Sequence, residues 1–592
     1  MRFNSSLQDG YRIHAVSGVN TISFAIDFRN ADTQELLGFA VERDDPQEQE
    51  RYFMYGFKVF KEVVPNPGEY MLVSTFDNPV QSFVWDDFTA KPDYKYTYFF
   101  HPVKGKPRNL TRERPIRITV KTEPLFSRQE HDIFFNRGVA SSQAYARRFD
   151  NLRPDKLEGE RQKEALQWLS RDLDEAILKF IGQAKRGDTL LGCFYEFSYT
   201  PVVAAFKQAI DNGVNVKIII DAKVNEYIDK KGNFHKSFPR EENLEAIRVA
   251  GIPENNIKKR EAKKNDIQHN KFIVYLAGAQ KQPEAVWTGS TNISEGGIMG
   301  QTNVGHWIRN EDAAAKYVQY WEILSEDPGT KEGDSRADAR KKNDEFKRSV
   351  MSLQSDIDAD GIPDGITTIF SPRKGLTMLN TYAAMVDTAK KSAAITLAFG
   401  INKVFKELLK DNTERDRIVF MLLEKKDVPN SRSKDTFIRL GAKNNVYQAY
   451  GSYLKDPLYQ WTEEVNTRFL KLNFHVSYIH TKLLLMDPLS GDPVVVTGSA
   501  NFSKSSINDN DENTVIIRKN LRAADIYFTE FNRLFNHYYF RSVLEDLKDR
   551  GIQDVDKAVF LKPDASWQDK YRAGTFRDKR MKMFQEMEGI AQ

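Results

Sequence analysis

Two copies of one short pattern carry the chemistry of this 592-residue chain. His269-Asn270-Lys271 is followed by Gly289-Ser290-Thr291-Asn292, and His480-Thr481-Lys482 is followed by Gly498-Ser499-Ala500-Asn501. Each His–Lys pair stands at the head of an apolar run, Phe272 to Tyr275 in one copy and Leu483 to Met486 in the other. Both runs are short and strand-like. Alternate residues of a strand point the same way, so His269 shares a face with Lys271, and His480 with Lys482. Ser290, Asn292, Ser499 and Asn501 add neutral donors at the ends of neighbouring strands. The pattern predicts two half-sites that together form a pocket for a phosphate diester.

The residue types suit displacement at phosphorus. Negative charge develops on the non-bridging oxygens, where lysine ammoniums and Asn or Ser donors stabilise it. A neutral imidazole can attack phosphorus and form a covalent phosphohistidine. A second, protonated imidazole can donate to the leaving oxygen and then activate water. Imidazole fits both tasks because its pKa lies near neutrality. No metal is required, and the His, Asp, Glu and Cys residues show no zinc-type spacing.

On these residues the chain resembles the phospholipase D superfamily, whose HxKxxxxD signature occurs twice per active site. The second copy matches in full, with His480, Lys482 and Asp487, then Gly498 to Asn501 and Asn510-Asp511-Glu512-Asn513. The first copy departs from it. Leu276 stands where the Asp belongs, and Asn303 stands where the second copy has Glu512. Some members, the tyrosyl-DNA phosphodiesterases among them, also lack the Asp and are active. The resemblance implies His269 as nucleophile and His480 as general acid and base, with Glu512 and Asp487 as acidic support around His480. A lone HxK in a strand is common and most single histidines are structural, but two copies each trailed by GSxN are hard to reach by chance. His306 and His475 read as ordinary core or surface positions.

The elements that position these residues form an α/β architecture: two pseudo-repeated phospholipase D-type halves make one active site, preceded by an all-β domain. Residues 1–125 alternate as half-buried strands, with Ile22, Phe24, Ile26 and Phe28 on one face. Aromatic-rich runs and Pro- or Gly-bearing turns follow, which suggests a β-sandwich. Trp85 with Tyr94, Tyr96 and Phe99 gives it a weak likeness to fibronectin type III packing. A connector (126–160) leads to the first half at 161–325, where Ala165, Leu169, Leu173, Ile177 and Phe180 trace an amphipathic helix. A polar linker (326–370), the second half (371–545) and a helical extension (546–592) complete the order. Glu196, just after a strand, is a candidate pocket residue or an exposed acid.

Within the linker, Asp356, Asp358, Asp360 and Asp364 surround Gly361 as at the start of a calcium loop. Thr367 occupies the position of the closing Glu, so the segment reads either as a structural calcium site or as a solvated acidic turn. Lys258, Lys259, Arg260, Lys263 and Lys264 precede the first motif and either draw in a polyanion or form a solvated face.

The single cysteine, Cys193, excludes an intrachain disulfide framework and fits a reducing compartment. Residues 1–10 lack the apolar core of a signal peptide, and no stretch approaches a transmembrane helix, so a cytoplasmic protein is expected. Charged residues make up 29 % and the net charge is only +4. That near-balance argues mildly against extended duplex binding, which rewards a large basic surplus. The favoured substrate is a phospholipid-like diester. A metal-independent nuclease or nucleic-acid phosphodiesterase is the close alternative, and a binding module with a degraded site is the third.

Overall fold

The computed structural model describes all residues except 68–70, 139–144, 146–147, 151, 153, 230–231, 414–415, 430–435, 452–478, 550–559, 588 and 591–592. His475 therefore lies outside the described residues, as do parts of the 126–160 and 546–592 segments.

Two seven-stranded sheets hold the chemistry-bearing motifs. The first contains β1 (His131–Phe135), β2 (Thr189–Phe194), β3 (Asn215–Asp221), β4 (Ile257–Arg260), β5 (Lys271–Ala277), β6 (Gln282–Gly289) and β7 (Val304–Ile308), in the order β1-β7-β6-β5-β2-β3-β4. The second contains β8 (Gly365–Ser371), β9 (Ser392–Leu397), β10 (Ile418–Leu423), β11 (Val446–Tyr450), β12 (Leu483–Met486), β13 (Val494–Gly498) and β14 (Glu512–Arg518). Its order, β8-β14-β13-β12-β9-β10-β11, repeats the first strand for strand. In each sheet β2–β3–β4 or β9–β10–β11 pair in parallel and the rest antiparallel. The parallel strands β9 and β10 are buried along their whole lengths, which is why they read as unbroken apolar runs rather than alternating ones.

The halves meet at the motif-bearing ends of their inner strands. Gln268 bridges Asp511 and Thr302 bridges Ile479, each in parallel register. The helix Glu311–Ser325 packs between the sheets, where Tyr320 stacks on Phe370 at 4.4 Å and donates to the Ser371 carbonyl at 2.6 Å.

The N-terminal region is all-β, built on two main antiparallel sheets of four and five strands. Phe24 of the strand Ile22–Asp27 faces Tyr98 at 4.8 Å and Phe100 at 5.3 Å on the long strand Lys95–Lys106 of the other sheet. Three expectations change in detail. The segment 126–160 is more than a connector, because it contributes β1, the edge strand of the first sheet. The polar linker contains the helix Arg336–Leu353, capped by Ser335, whose hydroxyl accepts from the Asp338 amide, and ends in β8. The C-terminal extension returns to the β-domain, where Trp567 donates to the Leu36 carbonyl at 2.8 Å and Tyr571 packs on Phe83. No helix among the described residues is long and apolar enough to cross a membrane.

Candidate active site

His269 and His480 stand just ahead of β5 and β12 rather than inside them. Their rings face each other across the junction with centroids 6.0 Å apart and planes 78° apart, and both residues are buried. Pairing between the halves fixes this placement, since the His269 amide donates to the Asp511 carbonyl at 2.9 Å and the His480 amide to the Thr302 hydroxyl. Lys482 Nζ donates to the carbonyl of its own His480 at 2.6 Å, and Lys271 Nζ does the same to His269. Each lysine thus lies on the same side as its histidine.

The Nδ1 partners cross between halves. His269 Nδ1 lies 2.9 Å from Glu512 Oε2, and His480 Nδ1 lies 2.9 Å from Asn303 Oδ1. Glu512 was expected beside His480 and belongs to His269 instead. Counting along one chain aligns it with its own half, whereas the sheet junction places it opposite. Asn303 has a settled amide orientation. Its Nδ2 donates to the Gly297 carbonyl at 2.8 Å, and its Oδ1 accepts from Ser290 Oγ at 2.8 Å. His480 then carries its proton on Nδ1 when neutral, which leaves Nε2 as its basic nitrogen. An ionised Glu512 imposes the same tautomer on His269.

Asp487 also leaves the expected place. Its carboxylate accepts from the amides of Lys390, Lys391 and Ser392 at 2.7–3.0 Å, at the far end of β12 from His480. In the first half Asp188 does the reciprocal work, accepting from the amides of Lys185 and Gly278 and from Tyr275 Oη. The acid sits on the HxK strand in one half and on the loop it fastens in the other. Leu276 is consequently a buried core residue with no carboxylate to replace.

The serines fasten strands. Ser290 Oγ accepts from the Val304 amide and Ser499 Oγ from the Asn513 amide. Gly289 and Gly498 adopt positive φ, and a Cβ at either would come within 2.3 Å of a carbonyl on the neighbouring strand. That explains the glycine of GSxN. Asn292 Nδ2 donates to Glu196 Oε1 at 2.7 Å, so Glu196 is a buried neighbour of the site rather than an exposed acid. Asn501 is half-buried and lines a cavity of about 100 Å³ with Leu397, Phe399, Ile401 and Phe502.

One residue of the site escaped sequence reading: Tyr195 sets its ring 5.2 Å from that of His269, and its adjacency to Glu196 was the available signal. Asn513 of the second motif ties to Asn270 at 2.8 Å across the junction.

Burial dominates the electrostatics. It pushes both imidazoles well below their ordinary pKa, and Lys271 and Lys482 add to this. It brings Lys271 down to about 7 and raises Glu512 and Glu196 to about 7. A phosphodiester monoanion entering this space would favour the charged forms of the histidines and lysines alike.

The other candidates lie elsewhere. Arg260 is buried between Asp511 at 2.8 Å and Asp327 at 2.7 Å, and Lys263 is buried on the Asp509 carbonyl. Only Lys258, Lys259 and Lys264 of that basic run are exposed. In the acidic loop, Asp356 pairs with Arg373 at 2.6 Å and Asp364 with Lys519 at 2.9 Å. Cations of the protein thus hold two of the four aspartates, and no group of three or more metal-ligand side chains gathers among the described residues.

A family model described as "Cardiolipin synthase, PLD-like domain" matches residues 177–324 and 382–535, half of the chain. No curated protein sequence matches. Among solved structures, polyphosphate kinase from Porphyromonas gingivalis is similar over 59 % of this chain and 43 % of its own, at 10 % identity and TM-score 0.35. This chain thus spans less than half of that relative's length. Phosphatidylserine synthase from Haemophilus influenzae Rd KW20 is similar over 71 % and 94 %, at 12 % identity and TM-score 0.40. Nuc, a phospholipase D family member from Salmonella typhimurium, is similar over 29 % and 93 %, at 18 % identity and TM-score 0.20.

Proposed function

The chain belongs to the family of phospholipase D-like domains, and we propose that it hydrolyses a phospholipid-like diester through a phosphohistidine on His269. The observation that carries this reading is the facing histidine pair with unequal Nδ1 partners, Glu512 on one and Asn303 on the other. Glu512 holds the His269 Nδ1–H, frees Nε2 for attack and balances the positive charge the ring acquires on bonding phosphorus. Asn303 gives His480 a neutral partner, which leaves it the more acidic imidazolium and suits it to release a proton.

In the first step His269 Nε2 bonds to phosphorus as the bond to the leaving oxygen breaks, and His480 Nε2–H protonates that oxygen. In the second, water attacks phosphorus, its proton passes to His480, and the phosphorus–nitrogen bond breaks. The products are an alcohol and a phosphomonoester. Lys271 and Lys482 hold the non-bridging oxygens, with Asn292 and Asn501 as neutral donors beside them.

The cavity beside Asn501 mixes Leu397, Phe399 and Phe502 with Asn402 and Ser503, a lining compatible with an amphiphilic diester. The burial of Arg260 and Lys263 weakens the case for a polyanion track. The degraded-site reading loses its support, because Asn303 is the partner of His480 and the missing motif Asp fastens a distant loop in the other half.

Paired assays in EDTA, with phosphatidylcholine vesicles in one and labelled single-stranded DNA in the other, test the reading. His269→Ala and His480→Ala should each lower lipid turnover by at least about a hundredfold. His480→Asn should trap label on the protein, and His269→Asn should not. DNA cleavage without lipid cleavage would move the substrate to nucleic acid. Wild-type turnover in either Ala variant would overturn the shared site.

A further inference from the structure

Between β3 and the helix Arg240–Ala250 the first half extends a two-stranded hairpin, Tyr227–Ile228 against Phe234–His235. Ile228 and Phe234 are direct register partners, so their side chains lie together on one face. They are 70 % and 59 % exposed, and no large apolar side chain among the described residues is more exposed than Ile228. Val224 and Tyr227 beside them are exposed as well. A small hairpin gains little stability from such an arrangement in water, and clustered exposed apolar groups mark a surface that meets something.

The hairpin is anchored to the catalytic side of the molecule. The Phe238 amide donates to Asn225 Oδ1 at 2.9 Å, and Asn225 Nδ2 donates to the Phe238 carbonyl at 2.7 Å. The Phe238 ring lies 6.2 Å from that of Tyr195, which in turn lies 5.2 Å from that of His269. In the second half, the loops leaving the equivalent strands β9 and β10 expose Phe399 and Val428. Apolar side chains therefore stand at the histidine-bearing strand ends of both halves.

We propose that these side chains seat the protein on a lipid bilayer, with Ile228 and Phe234 entering the acyl boundary while a headgroup diester reaches His269 and His480. This inference rests on the lipid reading of the site. A bilayer is the occupant the arrangement fits, because apolar side chains are exposed at the histidine-bearing strand ends of both halves. A diester whose chains stay in the membrane also reaches a buried histidine pair only across an apolar rim. The charges of the hairpin segment are of mixed sign in the sequence, Glu226 and Asp229 against Lys230, Lys231 and Lys236. Apolar insertion rather than electrostatic attraction then supplies the affinity, and a zwitterionic surface suffices.

The test compares the full chain with an Ile228→Asp/Phe234→Asp double variant and with Val428→Asp, all matched by circular dichroism. Co-sedimentation with phosphatidylcholine vesicles is measured at low salt and at about 1 M salt, where the Debye length falls to about 3 Å. Turnover of soluble bis(4-nitrophenyl) phosphate is followed alongside. Wild type should bind vesicles equally at both salts. The double variant should bind at least about tenfold more weakly and Val428→Asp measurably more weakly, with soluble turnover unchanged in both. Absent wild-type binding, binding abolished by salt, or undiminished binding by the double variant would overturn the proposal. So would a wild-type dimer that the double variant disperses without any vesicle binding. Vesicle binding with no diester turnover would count against the catalytic reading alone, and soluble turnover without vesicle binding against the surface alone.

Discussion

Glu512 and Asn303 make two chemically identical imidazoles unequal, and the inequality predicts a pH profile. Burial raises the Glu512 carboxyl to about 7, with Lys271 and Lys482 pulling the other way. Below that pH it is largely protonated and cannot balance a charged His269, so kcat/KM should climb as pH rises through about 7. Glu512→Gln should remove that acid limb and cost about a hundredfold or more in kcat. A limb that survives in the variant would assign it to another group. Asn303→Asp should act oppositely on the partner: a carboxylate at His480 holds its proton to higher pH, moving the basic limb upward. The residue types and the two half-sites were legible in the sequence, because HxK and GSxN are local. The partnerships were not. His269 and Glu512 lie 243 residues apart and meet only through the sheet junction, and no spacing within one motif encodes that.

At the scale of elements, the motif Asp works as a fastener between a strand and a loop. Its absence at Leu276 is met by Asp188, which reaches the same corner from the other side. Leu276→Asp should therefore place an unpaired carboxylate in the core and destabilise the fold by about 3 kcal/mol or more, with no gain in turnover. Asp188→Ala should leave the Lys185 and Gly278 amides without their acceptor and cost about 1–3 kcal/mol, with kcat unchanged. Denaturant melts paired with turnover assays separate the two effects, and a rate gain in Leu276→Asp would restore the view that the first half is impaired. Strand and helix alternation made the two halves readable from apolar periodicity. The edge strand β1 stayed hidden because His131 to Phe135 is five residues long and pairs with β7 far along the chain.

Across the whole molecule, the long helix Leu521–Asp549 joins what the sequence presents as separate domains. Arg2 of the β-domain donates from Nε to Asp525 at 2.9 Å and from its other nitrogens to the carbonyls of Pro488, Leu489 and Ser490. Arg522 donates to Glu123 at 2.7 Å, and Asn536 to Asp86 at 2.7 Å. On the first half, Arg171 pairs with Glu530 of the same helix at 2.8 Å. The Arg2–Asp525 and Arg171–Glu530 ion pairs are buried, and removing one partner of such a pair costs about 3–5 kcal/mol because the other charge stays behind in a low dielectric. Composition and turn spacing could mark the β-domain as a separate unit, yet they could not reveal that its edge charges are satisfied by a helix 399 to 523 residues away. The β-domain and the second half should consequently unfold together. Arg2→Ala should lower the melting midpoint of the whole chain in one cooperative transition, read equally by fluorescence and circular dichroism. Two separated transitions, with the phosphodiesterase core surviving the first, would show instead that the β-domain is an independent attachment and that the Arg2–Asp525 pair joins finished parts.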